Sequence, residues 1–145
     1  MSQMFYGIKP FNQPIGAWDT SSCTNMAQMF RSYAGDMTFD QDIGAWDVSN
    51  VTNMSVMFGA DGYGTNAFNN GGSSSISGWD TSSCTNMHKM FQACSGFNQP
   101  IGNWDTSSVT DMYFMLRGCT PFNQDLGGWD MTGVTDLYGF FVGCS

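Results

Sequence analysis

The run Phe39-Asp40-Gln41-Asp42-Ile43-Gly44-Ala45-Trp46-Asp47-Val48-Ser49-Asn50-Val51-Thr52-Asn53-Met54-Ser55-Val56-Met57-Phe58 decides the architecture, because the chain writes it again and again. Its Trp-Asp step recurs at Trp18-Asp19, Trp46-Asp47, Trp79-Asp80, Trp104-Asp105 and Trp129-Asp130, at spacings of 28, 33, 25 and 25 residues. Self-similarity at that period marks a stack of one small unit, in which each copy covers the apolar side of the next. Reading each unit from its opening Phe gives 11–38, 39–67, 68–96, 97–121 and 122–145, with a partial unit at 1–10, all in a single domain spanning 1–145. The stretch Met1-Ser2-Gln3-Met4-Phe5 matches the second half of a unit, as in Met54 to Phe58.

Within a unit the apolar spacing changes. Phe39, Ile43, Trp46 and Val48 are separated by four, three and two residues, and Val51, Met54 and Met57 follow in steps of three. That change predicts a short extended segment around Ile43 to Val48 and then a helical or 3₁₀ turn around Thr52 to Phe58, capped by Thr52. A unit of about 25 residues cannot bury a Trp, two Phe and two Met by itself. Parallel strand pairing at about 4.8 Å per turn would bury them against their copies. The expected fold is therefore a right-handed parallel β solenoid, leucine-rich-repeat-like, of about five turns of 25 to 29 residues with short helical or 3₁₀ turns. Its Trp, Phe and Met form internal columns, each indole needing only one acceptor.

At this point the residues carry a family likeness. The run from Phe39 to Phe58 resembles the repeat of the BspA-like leucine-rich-repeat surface proteins, including the domain of unknown function multiplied in mycoplasma surface lipoproteins. The resemblance covers essentially the whole chain. It implies a leucine-rich-repeat-like solenoid displayed on cell surfaces or outside the cell, with adhesion or host-protein binding as the role of some members, and it implies no catalytic residues.

Composition narrows the partners. Twelve Asp and no Glu face four bases, Lys9, Arg31, Lys89 and Arg117, for a net charge of −8. Such a surface has no basic track for a phosphate backbone, which excludes nucleic acid as the expected partner and disfavours anionic membranes. No apolar run reaches the roughly 18 residues of a membrane span, so no direct membrane insertion is expected. Asp and Asn without Glu favour turns and caps over long helices.

The columns also raise chemical possibilities. Asp19, Asp47, Asp80, Asp105 and Asp130 stack by register. Each can close an Asx turn on the Ser or Thr that follows, and the alternative is a row of Ca²⁺ ions between rungs, although one column supplies few of the six to eight oxygens calcium takes. No other cofactor is implied. Thr24, Thr52, Thr85, Thr110 and Thr135 form a rank that reads as helix caps, and Asn12, Asn69, Asn98 and Asn123 with Gln13, Gln41, Gln99 and Gln124 form polar ladders. Cys23 and Cys84 fill the slot of Val51, Val109 and Val134, whereas Cys94, Cys119 and Cys144 recur every 25 residues; free buried thiols and a single disulfide both fit that spacing. The lone His88 sits in a variable slot with no acid beside it in sequence, which reads as a solvated position and gives no basis for an enzyme.

Irregularity concentrates between residues 59 and 75, rich in Gly, Ser and Asn. Insertions in repeat proteins loop out on one face, often the binding face, which makes Asp61, Tyr63, Asn66, Asn69 and Asn70 the candidate binding residues. The expected function is a non-catalytic surface binding or adhesion module recognising protein or glycan through one face and this insertion. The competing expectations are a structural subunit whose copies stack end to end or decorate a larger assembly, and a calcium-stabilised module.

Overall fold

The computed structural model describes residues 1–33, 35–61 and 64–145. Equivalent slots of successive units lie side by side: Asn25 pairs with Asn53, Asn53 with Asn86, Asn86 with Asp111 and Asp111 with Asp136, all in parallel sense. The units therefore stack in sequence order, in the register read from the Trp-Asp steps.

The expected β solenoid is not what these units build. Among the described residues every parallel pairing is an isolated bridge and no sheet forms. Hydrogen bonding around each Met pair explains why. Met26, Gln28 and Phe30 donate their N–H groups to Asn53, Ser55 and Met57 of the next unit, at 3.0, 2.9 and 2.8 Å. The intervening Met29 and Arg31 donate back within their own unit, to Met26 and Gln28. Alternate N–H groups thus bridge units while the others close tight turns, and a chain curling every three residues cannot extend into a strand. The third residue of each turn is left-handed, with φ of 59° at Gln3 and Gln28, 55° at Val56, 53° at Lys89, 52° at Phe114 and 64° at Gly139. Only Gly139 adopts that backbone without steric cost.

The same turns replace the expected helical segment at Thr52 to Phe58. The only helical elements among the described residues are two short 3₁₀ stretches in the third unit, Asn70–Gly72 and Ser74–Gly78. Nor is Thr52 a helix cap: its N–H and hydroxyl both donate to the Thr24 carbonyl of the preceding unit, at 2.9 and 3.2 Å, and Thr85, Thr110 and Thr135 repeat the bond down the stack.

Two aromatic columns fill the interior. Phe11, Phe39, Phe68, Phe97 and Phe122 follow one another at 5.9 to 6.3 Å between ring centroids, and Phe5, Phe30, Phe58 and Phe91 at 5.4 to 5.7 Å. The columns interlock, since each ring of the second stacks on the next opening Phe at 3.7 to 4.0 Å. The indoles of Trp46, Trp79, Trp104 and Trp129 are buried and each donates to the carbonyl one unit back, at Ile15, Ile43, Ile76 and Ile101. Trp18, in the first full unit, is 39% exposed.

Candidate functional site

The five carboxylates after Trp close local turns. Each accepts from the backbone N–H and the hydroxyl two residues on: Asp19 from Ser21, Asp47 from Ser49, Asp80 from Ser82, Asp105 from Ser107 and Asp130 from Thr132, with hydroxyl contacts of 2.6 to 2.7 Å. The hydroxyl and then the N–H hold Asp19, Asp47, Asp105 and Asp130 below the usual carboxylate range. Among the described residues no three acid, His or Cys side chains group closely enough to hold a metal ion.

The cysteines are free thiols. Cys94, Cys119 and Cys144 donate to the carbonyls of Phe58, Phe91 and Leu116 one unit back, at 3.3, 3.2 and 3.1 Å. Burial drives the Cys84 thiol up to about 11 and those of Cys94 and Cys119 upward as well.

The insertion holds the candidate binding residues, and much of it is built inward. Asn66 and Asn70 are fully buried. Asn66 donates to the Phe30 carbonyl at 3.0 Å and accepts from the Phe68 N–H, while Asn70 accepts from the Ile43 N–H at 2.9 Å and donates to Ser73 and Ser75. Asn69 accepts from the N–H of Asn98 and the side chain of Gln99 in the next unit. Asp61 is partly exposed and pairs with Arg31, with Lys89 Nζ at 3.9 Å. Tyr63 lies outside the described residues. The structure thus brings Asp61 to a surface cluster and sets the asparagines into the packing.

Two features escaped the linear reading. His88 has an acid beside it: Asp111, one unit on, places its carboxylate 3.2 Å from Nδ1, and Tyr113 stacks on the imidazole at 5.0 Å. The signal was the 25-residue offset between the slots of Asn86 and Asp111. The second feature is a flank where bases meet aromatic rings. Arg31 lies over Tyr6 at 5.4 Å, Lys89 over Tyr113 at 5.6 Å and Arg117 over Phe114 at 4.7 Å. Lys89, Tyr113 and Phe114 belong to the bridging turns themselves, and Arg31 and Arg117 follow directly after them, so the register of the stack assembles the flank.

A chain made of near-identical units, each hydrogen-bonded and ring-stacked to the next, is a stacked-repeat protein. It belongs to the family described as Mycoplasma protein of unknown function, DUF285, whose model matches residues 1–74 and 63–145. No curated protein and no solved structure matches the chain.

Proposed function

We propose that this chain is a non-catalytic binding module of the BspA-like surface type, held at a cell surface or outside the cell, that grips a protein partner through the flank of Arg31, Asp61, Lys89, Tyr113 and Arg117. The observation that carries this reading is the segregation of side chains. Three of the four bases sit on this flank against aromatic rings, whereas the carboxylate column elsewhere is occupied in its own turns. Arg and Tyr are the side chains that dominate protein interfaces, because they bring large contact area together with directed polar groups. Asp61 ties the insertion to this flank through Arg31 and Lys89.

The test is a binding screen of the intact chain against immobilised proteins and glycans, repeated with Tyr113→Ala and Arg117→Ala. Saturable protein binding that falls at least about tenfold in both variants supports the reading. Saturable binding to glycans alone, or protein binding that both variants retain, overturns it. A second reading, a structural subunit whose copies stack end to end, draws on the apolar side chains exposed at both ends, Met4, Tyr6, Ile8 and Trp18 at one and Leu137, Phe141 and Val142 at the other.

A further inference from the structure

Arg31, Gly59, Gln92 and Arg117 occupy one slot of the repeat, and the slot after it holds the small residues Ser32, Ala60, Ala93 and Gly118. On the flank that carries the bases, this pairing leaves a concavity of about 200 Å³ lined by Ala60, Ala93 and Gly118 together with Gln92 and Arg117. Its backbone is held from several sides. The Ala60 N–H donates to the Gln92 carbonyl at 2.9 Å, the Ala93 N–H to the Arg117 carbonyl at 2.7 Å, and the Ala93 carbonyl accepts from the Asn66 N–H at 3.0 Å.

Two polar groups lining this hollow lack partners among the described residues. Gln92 is 7% exposed; its Nε2 donates to the Ala60 carbonyl at 2.8 Å, while its Oε1 is buried and accepts no hydrogen bond. Arg117 is exposed and lies over the Phe114 ring at 4.7 Å, but unlike Arg31 and Lys89 it pairs with no carboxylate. A buried carbonyl oxygen without a donor is costly, and a guanidinium held on a ring still has N–H donors to give.

These two groups select the chemistry of a guest. A carboxylate would satisfy Arg117, but it brings no donor for Gln92 and sets its own oxygens against Oε1. The net charge of −8 opposes it further. An aliphatic side chain satisfies neither group. A carboxamide carries an acceptor and a donor on one planar end.

We infer that the concavity beside Arg117 takes the side-chain carboxamide of an Asn or Gln on a partner protein, its oxygen accepting from Arg117 and its NH₂ donating to Gln92 Oε1. The last torsion of a Gln side chain is soft, and a modest turn about it brings the buried Oε1 to the guest. This names the group recognised at the flank, and it rests on the reading of that flank as protein-binding.

The experiment titrates the intact 145-residue chain with Gly-Gln-Gly, Gly-Glu-Gly and Gly-Met-Gly peptides capped by acetyl and N-methylamide groups, and with N-acetylglucosamine, following backbone amide shifts. The Gln peptide should give saturable shifts centred on Ala60, Ala93 and Gly118, at an affinity at least about tenfold above the Glu and Met peptides, which leave one or both groups unpaired. Arg117→Ala, at an exposed position compatible with folding, should remove that preference. Equal shifts from all three peptides, tighter binding of the Glu peptide, no saturable shift at these residues, or a preference that survives Arg117→Ala overturns the inference. So does tighter binding of N-acetylglucosamine, which would name a glycan as the source of the amide. No partner protein enters this titration, so a concavity that fails it while the partner screen still falls with Tyr113→Ala and Arg117→Ala separates the loss of this inference from the loss of the flank.

Discussion

Two regions of the stack hold together by different means. From Trp79 to Val134 the rungs repeat without interruption, and apolar rings meet their own copies: Phe97 meets Phe122 at 6.1 Å and Trp79 meets Trp104 at 5.8 Å. From Gly64 to Gly78 the register is interrupted, and individually placed polar groups restore it. The Asp40 carboxylate accepts from the N–H groups of Asn69 and Gly71, and Asp42 accepts from Ser75 at 2.6 Å. A regular rung needs only the right apolar residue in each slot. An interrupted one needs each donor matched to an acceptor.

The sharpest way to break this comparison is Trp104→Ala. The indole is buried in the middle of the column, and its loss should cost about 3 to 5 kcal/mol in chemical denaturation. Trp18→Ala, at the half-exposed end, should cost well under half as much. Equal costs would show that the column does not carry the regular rungs. In the interrupted region, Asn70→Ala strands the Ile43 N–H, which Asn70 now satisfies from within the packing, and should cost about 1 to 3 kcal/mol by the same measurement.

Alkaline titration probes the thiols. In the unfolded chain a Cys titrates near about 8.5, whereas burial raises Cys84 to about 11 and lifts Cys94 and Cys119 too. The folded state therefore holds these protons more tightly. Stability is full below about pH 8.5 and falls as the pH rises toward and through the folded values. Denaturation midpoints at pH 8 and pH 10.5 should show that loss, and Cys84→Val, which installs the residue of Val51 and Val109 in the same slot, should reduce it.

The smallest effect concerns the turns. Gln28 holds a left-handed backbone at φ 59°, and Gln28→Gly removes that steric cost while giving up the contact from Arg31 at 2.9 Å. Thermal melts should move upward by the equivalent of no more than about 1 kcal/mol, or stay level.

The register of the stack, the buried indoles with one acceptor each and the Asx turns after Trp were legible in the sequence, since all three follow from period and side-chain chemistry. The backbone between them was not. Steps of three among Val51, Met54 and Met57 are compatible with a helical turn or with a series of tight turns, and only the alternation of N–H directions separates the two. The Thr rank was recognised as a column, but its direction of bonding, backward to the preceding carbonyl, is a tertiary fact. His88 and Asp111 are 23 residues apart and meet only because one rung lies on the next. In the insertion, the Asn-rich composition suggested an outward loop, whereas Asn66 and Asn70 turn inward because the broken register leaves backbone groups that need them.

Among the described residues the hydrogen bonds and ring stacks between units run to the neighbours on either side, through single carbonyls and stacked rings, and this has a mechanical meaning. Pulled from its two ends, such a body has no bond that spans its whole length, so tension unzips it from an edge. Each regular rung that lets go, such as the 25 residues between Trp104 and Trp129, releases slack. That slack is roughly 85 Å at the reach of an extended chain. Under load the molecule would lengthen in a staircase whose tread is set by the period of its own sequence.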